Sequence, residues 1–186
     1  MYDQTKKDIL LEGDKEIKWS SSHVDFLSPR DVEIMTKIGV PSSMAPFIDL
    51  MDETSYGGYS LYDRVNIFEN YPLDNDGFKD LCLLGRTSEG YIVITPEGEI
   101  CLVDVESEAI LYMNKSLDAF LETAYEYAKF IDTVNEKYDD PDAFFDGQYN
   151  DEDIECLRKN IDKIDDVAAD DGFWAEQLDM LFEDIQ

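Results

Sequence analysis

His23 is the single histidine among 186 residues, so a nucleophilic relay in this chain has one available imidazole base. It sits in Ser20-Ser21-Ser22-His23-Val24-Asp25, a stretch without apolar periodicity, and reads as an ordinary surface or half-buried residue. No G-x-S-x-G, H-E-x-x-H or Walker-type loop occurs. Cys82, Cys101 and Cys156 are odd in number, far apart and free of CxxC spacing. Two of them lie in the apolar runs Leu81-Cys82-Leu83-Leu84 and Ile100-Cys101-Leu102-Val103, where a reduced thiol is a small core side chain and the compartment a reducing cytosol. Paired carboxylates are plentiful, but with 44 Asp and Glu chance supplies every spacing a hydrolase uses. Asp74-Asn75-Asp76-Gly77 has the look of a calcium loop. Aligning Gly77 at the sixth position puts Pro72 first and Leu83 twelfth, which removes both end ligands. Asp142 through Asp151 fails the same pattern. The residues therefore call for no catalytic group, no metal and no cofactor.

Charge is the stronger signal. The 44 acids face 15 Lys and Arg, a formal net charge of −29. Phosphates reward a basic footprint, so direct nucleic-acid binding is excluded, and an anionic membrane surface is disfavoured likewise. Met1-Tyr2-Asp3-Gln4-Thr5-Lys6-Lys7 opens into no apolar core of a signal peptide, and no apolar run is long enough to span a bilayer. A cytoplasmic location is expected. With 44% hydrophobic and 12% aromatic residues, the chain has the means to fill a core, and disorder is excluded despite the charge.

Acidity peaks at the carboxy-terminal end: residues 132–186 hold 19 acids against 4 bases, a net of −15. Part of this is local, since Asp151, Glu152 and Asp153 occupy the first turn of an expected helix and favour its positive pole. A solvated face accounts for such a run as readily as a docking surface for a basic protein, a nuclease for example. On the docking reading Asp139, Asp140, Asp142 and Asp146 supply charge. Tyr56, Tyr59 and Tyr62, in a glycine-bearing loop, are candidate aromatic anchors, and Tyr149 is either a further anchor or a core residue. Trp174 lies on a helix stripe and is assigned to the core.

These residues need a frame. Residues 1–28 give no firm pattern. Ser28-Pro29 reads as a helix cap followed by proline at the first turn, with Gly39 and Pro41 as the stop. Residues 41–80 are rich in loops, with short apolar runs at 46–50 and 65–68 that read as edge strands. Runs at 81–86, 91–95, 100–105 and 109–113 are joined by Thr87-Ser88-Glu89-Gly90 and Thr95-Pro96-Glu97-Gly98, where each glycine is expected to take a left-handed turn position. Short connections make the runs antiparallel neighbours, and the second and third are apolar enough to be covered on both faces. Ser116 caps a helix of about five to six turns with Leu117, Phe120, Leu121, Ala124, Ala128 and Ile131 on one face. Phe130 and Val134 face elsewhere. Beyond the hinge at Tyr138-Asp139-Asp140-Pro141-Asp142, Asn150 caps a helix carrying Ile154, Leu157, Ile161, Ile164 and Ala168. A last helix carries Trp174, Leu178, Leu181 and Ile185. The fold class is α+β: a mostly antiparallel meander packed by helices, in one domain over 1–186 with 150–186 as a helical extension packed on it.

The order of pieces resembles a known family. A short helix ends in Gly39-Val40-Pro41-Ser42-Ser43. Leu84-Gly85-Arg86 and the hairpin at Pro96-Glu97-Gly98 follow. Tyr112-Met113-Asn114-Lys115-Ser116-Leu117-Asp118-Ala119-Phe120-Leu121 then opens the long helix, and Gly172-Phe173-Trp174 precedes the last one. This is similar to the SUKH superfamily, most closely its fourth family of bacterial immunity proteins, with relatives among fungal glucan-synthesis regulators. The likeness runs over most of residues 29–185 and rests on cap, turn and core positions. It implies a non-enzymatic protein that neutralises a polymorphic or contact-dependent toxin, such as a basic nuclease or deaminase, by binding it. Two other readings are regulation or scaffolding of cell-wall glucan synthesis or signalling, and an enzyme acting on a small molecule. The resemblance transfers no site residue.

Overall fold

The computed structural model describes residues 1–11, 14–20, 27–68 and 76–183. The amino-terminal segment, patternless as a sequence, contains helix α1 (Gln4–Leu10), whose first turn is closed by the Asp3 carboxylate accepting from the Lys6 N–H. Strand β1 (Glu16–Ile17) follows. Ser28 then caps helix α2 (Pro29–Glu33) by accepting from the Asp31 N–H, as its sequence predicts. The helix widens into a π turn over Ile34–Ile38 and stops at Gly39, whose φ of 85° few side chains tolerate.

Strand β2 (Val40–Pro41) pairs with β1, and β3 (Ser43–Met44) opens the main sheet. The apolar run at 46–50 contains strand β4 (Ile48–Leu50), which is not an edge strand, because β3 pairs with it on one side and the strand Cys82–Arg86 on the other. The run at 65–68 is not a strand: it belongs to helix α3 (Leu61–Phe68). Leu61 and Val65, one helical turn apart, are both buried, and a four-residue apolar run looks the same at either period. Four longer strands follow, β5 (Cys82–Arg86), β6 (Tyr91–Ile94), β7 (Ile100–Asp104) and β8 (Ala109–Asn114). Together they make a six-stranded antiparallel sheet in the order β3-β4-β5-β6-β7-β8.

Gly98 takes the left-handed position in the β6–β7 turn (φ 88°), and the Thr95 N–H donates to the Glu99 carbonyl at 2.9 Å. Gly90 does not repeat this device. It holds no positive φ, and its requirement is proximity: a Cβ there would lie 2.3 Å from the Val103 carbonyl oxygen of the neighbouring strand.

Both faces of the sheet centre are covered, as the unbroken apolar runs predict. Leu84, Ile92, Ile94 and Leu102 point to one face and share a core with helix α4 (Leu117–Tyr138) through Leu117, Phe120, Leu121 and Ala124. Leu83, Val93, Cys101 and Val103 point to the other, where Leu61, Val65 and Phe78 cover them. Phe130 and Val134 are buried too, on the side of α4 where residues 143–149 and helix α5 (Asp151–Ile164) pack.

Asn150 caps α5 with a reciprocal box: its side chain accepts from the Glu152 and Asp153 N–H groups, while Asp153 accepts from the Asn150 N–H. The heptad-like series does not run through to Ala168 in one helix. Asp165 interrupts it and Ala168 falls in helix α6 (Asp166–Asp170). The Asp165 carboxylate, nearly fully buried, accepts from the Tyr112 hydroxyl at 2.9 Å and the Lys115 N–H at 2.7 Å, bonds a straight helix would forgo. Helix α7 (Phe173–Glu183) closes the chain with Trp174, Leu178 and Leu181 buried; Ile185 lies outside the described residues. No described helix is long and apolar enough to cross a membrane.

Candidate functional site

An aromatic ladder runs outward from the core at the carboxy-terminal side. Trp174 contacts Tyr127 (ring centroids 6.0 Å apart), Tyr127 contacts Phe144 (6.3 Å), and Phe144 contacts Phe145 (5.4 Å). Phe130 and Tyr149 flank it; Tyr149 stacks on Phe144 at 5.6 Å with a 27° interplanar angle. Trp174 is fully buried at one end, and Phe145 is 70% exposed at the other.

The loop between α4 and α5 holds this ladder in place by local bonds. Asp139, in the left-handed region (φ 52°), ends α4, and its N–H bonds back to the Asn135 and Glu136 carbonyls. The Asn135 side chain accepts from the Phe144 N–H at 3.0 Å, and the Asp140 carboxylate accepts from the Asp142 N–H at 3.0 Å. The Gln148 N–H reaches the Ala143 carbonyl at 2.9 Å, with Gly147 at φ 67° making the bend.

Between this loop, α4, α7 and the β3–β4 turn lies a cavity of about 570 Å³. Tyr127, Ile131 and Tyr149 line its inner side, and Phe47, Phe145 and Met180 stand at its rim, 81%, 70% and 44% exposed. Phe47 holds φ 57°, a left-handed backbone uncommon for an aromatic residue. A second cavity of about 240 Å³ is also lined by Ser43, Met44 and Ala45, and the two cavities beside β3 are together termed the trough. Among the described residues, the charged side chains lining the trough are Asp14, Asp132 and Asp146; neither cavity is lined by Lys or Arg.

The sequence-derived contact residues fall in two places. Asp139, Asp140, Asp142 and Asp146 lie on the α4–α5 loop beside the trough, with the Asp139 backbone and the Asp140 side chain also shaping the loop and Asp142 and Asp146 exposed. Tyr149 is only 5% exposed, so it forms part of the floor and is not a projecting anchor. Tyr56 and Tyr62 pack against the opposite face of the sheet, and Tyr59, 40% exposed, meets Tyr56 edge-on at 5.8 Å. The fold does not gather these three tyrosines with the acids. Phe47, Phe145 and Met180 were not singled out from the sequence, where they belong to three unrelated segments. One signal was available: Phe47 in Ala45-Pro46-Phe47 and Phe145 in Ala143-Phe144-Phe145-Asp146 are bulky apolar residues in turn-like contexts.

His23 lies outside the described residues. The two core thiols are poor nucleophiles, because burial pushes Cys82 up to about 12 and Cys101 up to about 11. Cys156 is exposed on α5. No group of His, Cys, Asp and Glu able to hold a metal occurs among the described residues.

A family model described as SUKH-4 immunity protein matches residues 25–184. No curated protein and no solved structure matches the chain.

Proposed function

The chain belongs to the SUKH-4 immunity protein family, and from that membership we propose that it neutralises a protein toxin by binding and covering it, without turnover. The observation that carries this reading is the concentration of exposed bulk: Phe47, Phe145 and Met180, three of the largest exposed apolar side chains, ring one trough. Water-exposed aromatics held over a shaped cavity serve association and contribute little to folding.

Electrostatics selects the kind of toxin. A protein of net charge −29 attracts a cationic domain over roughly a Debye length of 8–10 Å and repels an anionic one. Enzymes that cleave or deaminate nucleic acid carry such a basic surface, and we infer a target of that class in a bacterial polymorphic or contact-dependent system. Cytoplasmic residence fits that target, because nucleic acid is there.

Rescue tests the proposal directly. Cells expressing the toxin domain encoded beside this gene survive when the chain is co-expressed, and the two purified proteins form a stable complex. Death of the cells with every adjacent toxin candidate, with the chain expressed and folded, refutes the immunity role.

A further inference from the structure

We propose that the trough beside β3 is the docking face, and that its occupant is a cationic segment of the toxin that inserts an apolar side chain between Phe47, Phe145 and Met180. The inference rests on the immunity reading and adds where and how the partner is held. Its first support is room. A cavity of about 570 Å³ lies within the range of roughly 300–1,000 Å³ typical of ligand pockets, and its apolar floor accepts a side chain that leaves water.

Charge decides the occupant. Asp146 lines the larger cavity and Asp14 and Asp132 the smaller one beside it, with no lysine or arginine among the described lining of either, and Asp142 is exposed on the same loop as Asp146. A second copy of this chain would bring its own net charge of −29 against these carboxylates, so self-association through this face is opposed. A cationic segment meets the opposite sign. Its lysines or arginines lie against the carboxylates while one apolar side chain fills the space below them, the anchor-and-rim arrangement of tight interfaces.

The backbone at Phe47 points the same way. Its φ of 57° is a left-handed conformation that a residue with a Cβ rarely adopts, and the ring it carries is 81% exposed. The conformation aims an aromatic at solvent over the trough, an arrangement that core packing does not require.

The experiment uses the full chain and the catalytically inactivated toxin domain encoded beside its gene, with binding followed by surface plasmon resonance. The double variant Phe47→Ser/Phe145→Ser keeps the parent's circular dichroism and loses about 100-fold or more in affinity, since a few buried anchors carry most of an interface's affinity. Asp146→Lys slows association about tenfold at low salt, a difference that closes at high salt. Ile110→Ser, 54% exposed on β8 at the other edge of the sheet, binds like the parent. Parent-like binding by the folded double variant overturns the docking site and leaves the immunity reading intact. Failure of the parent itself to bind or to rescue overturns both. A parent dimer that the double variant converts to monomer assigns the trough to self-association and refutes the proposal.

Discussion

The indole N–H of Trp174 donates to the Asn114 side-chain oxygen at 2.7 Å, and both residues are fully buried. The Asn114 amide in turn donates to the Thr123 hydroxyl at 3.2 Å. One side chain of the last sheet strand therefore ties together the long helix and the terminal helix, the two walls on which the aromatic ladder stands. Asn114→Leu leaves the indole N–H buried without an acceptor and destabilises the fold by about 1–3 kcal/mol. Urea denaturation measures this; an unchanged midpoint would show that the bond contributes nothing.

Phe47 contributes a ring to solvent while holding a left-handed backbone. Asn tolerates that conformation better, because its short polar side chain bonds locally. Phe47→Asn leaves the melting temperature equal to or above that of the parent. A drop equivalent to more than about 1 kcal/mol would assign the ring a folding role, against the small effects usual for exposed positions.

Two glycines with nearly the same backbone separate strain from collision. Gly98 (φ 88°) has nothing within 4 Å of an added Cβ, whereas at Gly172 (φ 90°) that atom would lie 2.2 Å from the Tyr112 carbonyl oxygen. Gly98→Ala costs about 1–2 kcal/mol from the backbone alone. Gly172→Ala costs more, because the α6–α7 junction must also move away from β8. Equal losses by chemical denaturation would contradict the contact.

Asp52 titrates below the usual carboxylate range, chiefly because its side chain accepts a hydrogen bond from Lys15 at 2.6 Å and then from Thr54. A carboxyl whose folded value is depressed contributes stability above its unfolded value near 4, and the contribution disappears as pH falls through the folded value. Asp52→Asn keeps a capping acceptor for the Ser55 N–H and removes only the charge. The variant is less stable than the parent at pH 7, and the gap narrows steadily below pH 4. A gap independent of pH would locate the effect in packing.

Much of this architecture was legible in short stretches, because its signals are local. Ser28 before Pro29, Ser116 before the long apolar face and Asn150 before three acids each cap the helix they announce. The four long strands were readable from their apolar runs and tight turns. Where a run was too short to show its period, as at 65–68, the sequence could not distinguish helix from strand. Asp165 escaped notice because its partners, Tyr112 and Lys115, lie about fifty residues away. The trough was the least readable feature for the same reason. Its rim comes from a strand turn, an interhelical loop and the last helix, and exposure belongs to their assembly, not to any one segment. Tyr149 illustrates the converse: its type allowed an anchor or a core residue, and contact with the rings of Phe130 and Phe144 leaves it buried.

The aromatic ladder separates what must stay from what is free to drift. Its inner rungs are load carriers of the core, while the outermost ring and the two apolar residues opposite it are held up by backbone bonds that do not depend on their identity. Substitution at those three tips costs the fold little, so the exposed apolar surface over the cavity can change while the core stays as it is. The fold thus keeps a mutable vocabulary at its edge and a fixed grammar beneath it.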